Sequence, residues 1–130
     1  MAYTNNDIYL MALALIDENP NKGDTDDLSE RAPYILASFC SLCKNLDKKI
    51  RARDGEEAQR SFSSVKLDLT ANFPLCDQLT APAAAYLASM LTSDENPYLS
   101  EELYERYCDS IATLGAECSC SAISDVYYFD

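Results

Sequence analysis

The stretch from Leu79 to Leu114 leaves the chain few choices of fold. Leu79, Ala83, Tyr86, Leu87, Met90 and Leu91 recur at steps of three and four residues, which stacks them on one face of a 3.6-residue helix. Ala81, Ala83, Ala84, Ala85, Ala88 and Ser89 are small enough to let a second helix backbone come close. Leu99, Leu103, Tyr107, Ile111 and Leu114 repeat the period in a second arm. Between the arms, Asn96-Pro97 stops one helix and starts the next, because proline has no N–H to lose in a first turn. Gly115 stands where a left-handed C-terminal cap costs least. The prediction is a helical hairpin over residues 78–93 and 98–114.

Thr4-Asn5-Asn6-Asp7 reads as a helix start, with Thr4 as the cap and Asp7 near the positive end of the helix dipole. The helix predicted over 5–17 is apolar nearly all round, so it belongs in a core or a subunit interface. An acidic loop rich in breakers follows. A longer helix is predicted over 26–53, with Leu28, Ala32, Ile35, Leu36, Phe39, Leu42, Leu46 and Ile50 in register, a kink at Pro33 and a stop at Asp54-Gly55. Val65, Leu67 and Leu69 alternate with polar residues, which suits a short strand or extended arm near 64–69. No second strand is evident within the chain to pair with it, so it is either an extended arm or a strand completed by another subunit. The expected architecture is all-α: about four helices in a small bundle, forming one domain over 1–115. An extended docking tail is expected over 116–130. Its Ile123, Val126, Tyr127, Tyr128 and Phe129 are costly to leave in water and are the candidate partner-docking residues.

Charge divides the chain. Residues 44–66 hold seven of the ten basic residues and four acids, a net of +3, so the rest carries −15 of the total −12. An acidic surface repels nucleic-acid phosphate, and a basic island in an acidic body permits head-to-tail contact between copies. The candidate inter-subunit residues are Lys48, Lys49, Arg51 and Arg53 of that island, with Val65, Leu67 and Leu69 of the arm. The longest apolar run, Ile8 to Ile16, is nine residues, far below a membrane span of about 20. No basic-then-apolar leader is visible, so the expectation is assembly in the cytoplasm without a membrane.

Residues able to carry chemistry are few. The chain has no histidine, which removes a Ser-His-Asp triad, a Cys-His dyad and an imidazole metal ligand. Cys40-Ser-Leu-Cys43 with Cys118-Ser-Cys120 offers four thiols for a tetrahedral metal, but the first pair lies inside an apolar helical run rather than on a knuckle turn. Buried, reduced thiols are the expected reading. The acidic groups Asp24-Asp26-Asp27, Asp94-Glu95 and Glu101-Glu102-Glu105 lack the alternation and central glycine of a calcium loop and sit at helix starts. No catalytic residue, cofactor or metal is predicted.

Three parts together resemble the small helical head–tail adaptor (connector, or head-completion) proteins of tailed bacteriophages and prophages. These are Asn6-Asp7-Ile8-Tyr9-Leu10-Met11-Ala12-Leu13-Ala14-Leu15-Ile16, the longer helix after the acidic loop, and the late hairpin with Ala-Ala-Ala-Tyr-Leu-Ala-Ser-Met-Leu and Leu-Tyr-Glu-Arg-Tyr-Cys-Asp-Ser-Ile. The resemblance spans roughly residues 5–115 and consists of helix order and small-apolar spacing. It implies a virion protein assembled in the host cytoplasm as a homo-oligomeric ring of about twelve copies. Such a ring would bind the portal protein above and a tail or stopper protein below, while DNA passes through without specific binding. The alternative is an acidic DNA mimic or regulatory binding protein of a prophage, which the net charge also suits.

Overall fold

In a computed structural model, residues 3–16 and 26–127 are described. Five α-helices appear among them: α1 (Asn5–Leu15), α2 (Asp26–Leu42), α3 (Lys44–Asp54), α4 (Thr80–Leu91) and α5 (Pro97–Tyr127), with a 3-10 turn, Asp77–Leu79, leading into α4. The bundle is all-α, and no strand occurs among the described residues; Thr4 and Asn72 form an isolated antiparallel bridge.

The bundle is built around α4, which packs against α1, α2 and α5. Every residue from Pro82 to Ser89 is buried, so this helix has no solvent face over two turns. Its alanines are what allow three neighbours to approach it. The expected hairpin is present. Asn96 Oδ1 accepts from the Leu99 amide at 3.1 Å, capping α5, and Ser100 Oγ donates to the Ser89 carbonyl at 2.7 Å to tie the arms together. Phe39 of α2 completes the core. Its ring centroid lies 5.7 Å from Tyr86, 5.9 Å from Tyr107 and 6.5 Å from Phe73.

At the start of α1, Thr4 Oγ1 accepts from the Asp7 amide at 3.1 Å and the Thr4 amide donates to Asp7 Oδ2 at 2.9 Å. This reciprocal cap satisfies one first-turn donor and leaves others. Those are met by the connection between α3 and α4: the Asn5 and Asn6 amides donate to the Ala71 and Leu69 carbonyls at 2.9 and 2.8 Å.

Four sequence expectations change. The helix predicted over 26–53 runs through Pro33 and breaks at Cys43 instead, where φ −100° and ψ 7° turn the axis between α2 and α3. The turn lets Asp47 and Ile50 be buried behind the face carrying Phe39, Cys40 and Cys43. Residues 64–69 form no strand. They lie across α2, with the Leu67 amide on the Pro33 carbonyl at 3.1 Å and Leu67 buried, so the alternation points a side chain into this chain's own core. Gly115 is not a left-handed cap but part of α5; the positive φ belongs to Gly55, at 70°, where α3 ends as predicted. The tail expected to be extended from 116 is helical to Tyr127, since a long helix adds one hydrogen bond per residue fixed and tolerates one glycine. That helix crosses the boundary expected at 115. Tyr128 and Phe129 lie outside the described residues.

Candidate functional site

The basic island is divided by its surroundings. Lys48 and Lys49 face solvent on α3. Arg51 is turned inward: its Nε meets Asp47 Oδ2 at 2.9 Å, and its terminal nitrogens donate to the Glu57 and Pro74 carbonyls at 3.1 and 3.3 Å. Arg53 is held by Asp54 at 2.9 Å and by Glu117 of α5 at 3.8 Å. The hydrogen bond from Arg53 holds the Asp54 carboxyl below its ordinary range. Of the arm residues, Val65 is 67% exposed, Leu69 is half-buried and Leu67 is spent in the core. The structure therefore leaves Lys48, Lys49 and Val65 free to meet a neighbour, and uses Arg51 and Leu67 to hold its own fold. Ile123, Val126 and Tyr127 stand on the last turns of α5.

Asp47 is the polar centre that sequence reading missed. It is fully buried, and it accepts from the Cys76 amide at 2.7 Å, Gln59 Nε2 at 2.6 Å and Arg51 Nε at 2.9 Å. The one sequence signal was the four-residue spacing of Asp47 and Arg51 on a helix. Its other two donors come from distant sequence.

Around it lie three buried thiols. Burial pushes Cys43 up to about 11 and Cys76 up to about 12, the latter helped by the neighbouring Asp47 carboxylate. Cys40 is raised further, by burial and then by Cys43 and Asp47. Such thiols hold their protons and pack as small apolar groups. Cys118 sits apart on α5, 3.9 Å from an Arg53 nitrogen. No cluster of three or more potential metal ligands occurs among the described residues; the Cys120 side chain lies outside them. No helix of the described residues is long and apolar enough to cross a membrane.

The most distinctive surface is the outer face of α1. Leu10, Met11 and Leu15 are 41%, 40% and 37% exposed, with Ala14 exposed between them. The opposite face, with Ile8, Ala12 and Leu13, is buried against the bundle. No protein-family model, curated protein or solved structure matches this chain.

Proposed function

We propose that the chain is a structural assembly subunit: a head–tail adaptor of a tailed phage or prophage. Copies of it would form a ring between portal and tail around the DNA channel, with no catalytic step. The observation that carries this reading is the outer face of α1. A helix that shows four apolar residues to water on one face gains by covering them, and repeated copies supply the cover. The net charge of −12 suits a ring that lets DNA slide rather than bind.

Light scattering coupled to size exclusion, on reduced protein alone and mixed with the portal protein encoded beside it, tests the proposal. A stable complex with several copies per portal ring, weakened by deleting residues 123–130, is the expected result. A monomer at every concentration and salt, with no portal association, overturns it.

A second reading has one observation in its favour. Glu101, Glu105 and Asp109 are exposed four residues apart along α5, a spacing of about 6 Å per step that imitates successive phosphates. Salt-sensitive binding to a basic nucleic-acid-binding protein, in place of the portal, would select this DNA-mimic reading.

A further inference from the structure

Two helices turn faces of opposite sign to water. On α3 the buried side holds Asp47 and Ile50, while Lys44, Lys48 and Lys49 are all exposed on the outer side. On α5 the buried side holds Leu103 and Tyr107, while Glu101, Glu105 and Asp109 are all exposed on the outer side. None of these six charged side chains forms an ion pair among the described residues, whereas their neighbours do: Arg53 meets Asp54 and Glu117, and Arg106 meets Glu102 at 3.8 Å. Like charges one turn apart on a helix destabilise it, so each row gains when a row of opposite sign is laid against it.

The rows match in spacing as well as in sign. Lys44 and Lys48 stand four residues apart on α3, as Glu101 and Glu105 do on α5, a rise of about 6 Å in each case. With the two helices laid parallel, Lys44 faces Glu101, Lys48 faces Glu105, and Lys49 falls between Glu105 and Asp109. The same register brings Leu42, 64% exposed just before α3, to Tyr98, 88% exposed at the start of α5. At the far end it sets Glu56 and Glu57 towards the uncharged Ala112 and Ala116. The antiparallel direction would instead bring those two acids towards Asp94 and Glu95, so the parallel one is preferred.

We propose that the lysine face of α3 docks on the Glu101, Glu105 and Asp109 face of α5 in a second copy of this chain. Within one chain the two rows cannot meet, because α3 and α5 already pack on each other through other sides. Nucleic acid is the poorer occupant for the lysines, since the chain outside residues 44–66 carries −15 and repels phosphate. A second copy brings the complement in sign, in spacing and in its apolar end. Exposed ion pairs are individually weak, so the contact is reversible and fades as salt rises. Because it joins two different faces, it can repeat from copy to copy, as a ring or a filament. The inference rests on the assembly reading in that copies join, and it needs no portal.

Sedimentation velocity on the full chain, across a concentration series at moderate salt, tests it with Lys48→Glu, Glu105→Lys and an equimolar mixture of the two variants. Both positions are exposed, and circular dichroism checks that each variant keeps its fold. The wild-type chain should self-associate, and each variant alone should associate about tenfold more weakly. The mixture should recover wild-type association, because the two reversed charges then face each other. The reversals move the net charge of −12 in opposite directions, so weakening by both cannot come from overall repulsion. A monomer throughout, association untouched by either variant, or a mixture no stronger than its parts overturns the proposal. Retention of a short DNA duplex by the wild-type chain, lost with Lys48→Glu, assigns the lysines to nucleic acid and also overturns it. A portal complex that both reversals leave intact, with no recovery in the mixture, would sink this inference alone. Recovery in the mixture without portal binding would sink the adaptor reading alone.

Discussion

The Asp47 carboxylate and the Cys76 backbone amide meet at 2.7 Å in the buried interior, though 29 residues separate them in sequence. That contact pins the far end of the connection to the helix it left. Arg51 and Gln59 complete the carboxylate's partners, so one side chain fixes α3, the start of the connection and the approach to α4.

Replacing Asp47 by alanine should therefore cost about 3 kcal/mol, because it strands the Arg51 guanidinium and a buried amide at once. The urea midpoint reads this directly. Lys48→Ala, one residue along but facing solvent, should change stability by less than about 0.5 kcal/mol.

Phe39→Ala should be among the most damaging core changes, at about 3–5 kcal/mol, since three aromatic rings lose their common neighbour. Thermal unfolding with loss of near-ultraviolet circular dichroism would report it. An effect under about 1 kcal/mol would mean that the aromatic cluster is not packed as described.

Gly115, inside α5, and Gly55, at the end of α3, should respond to alanine with opposite sign. Gly115→Ala falls within α5 with no neighbour within 4 Å of the added methyl group, and should stabilise by about 1 kcal/mol. Gly55→Ala places a methyl group at φ 70° and should destabilise by about 1 kcal/mol. Denaturant titration of both variants checks the pair.

Alkaline pH should destabilise the fold. Unfolded thiols ionise near their ordinary value of 9, while folded Cys43 keeps its proton to about 11 and Cys76 to about 12. The folded values are raised, so this contribution is complete below about 9 and is lost as pH climbs towards 11–12. A falling denaturation midpoint from pH 9 upward, with a shallower slope in Cys76→Ala, is the expected profile. At pH 8 the exposed Cys108 should be alkylated far faster than Cys40, Cys43 and Cys76, as peptide mass spectrometry would show.

The hairpin was legible because its information is local: Leu103 and Tyr107 sit one turn apart, and Asn96-Pro97 punctuates the two arms. The buried character of Cys40 and Cys43 could also be read from their place in an apolar helical run. The connection after α3 was not legible in the same way. Leu67 alternates as a strand residue would, yet its amide bonds the Pro33 carbonyl 34 positions earlier. Nothing near either residue announces that pairing. Arg51 likewise reads as one more charge in a basic island until the Pro74 carbonyl is known to lie against it. Lys48 and Lys49 face solvent, whereas Arg51 is taken up by Asp47 and the Glu57 and Pro74 carbonyls.

The docking of α1 on α4 has a consequence during synthesis. Thr80 lies 65 residues after Leu15, so the first helix emerges well before the one that buries it. At translation rates of about 5–20 residues per second, that interval lasts about 3 to 13 seconds. Throughout it, the apolar run Ile8 to Ile16 waits without its main partner, with α2 the only neighbouring helix already made. A chain at that stage exposes an apolar helix of the kind that holding chaperones bind. The yield of folded protein should then depend on how well that first helix is shielded until α4 is made.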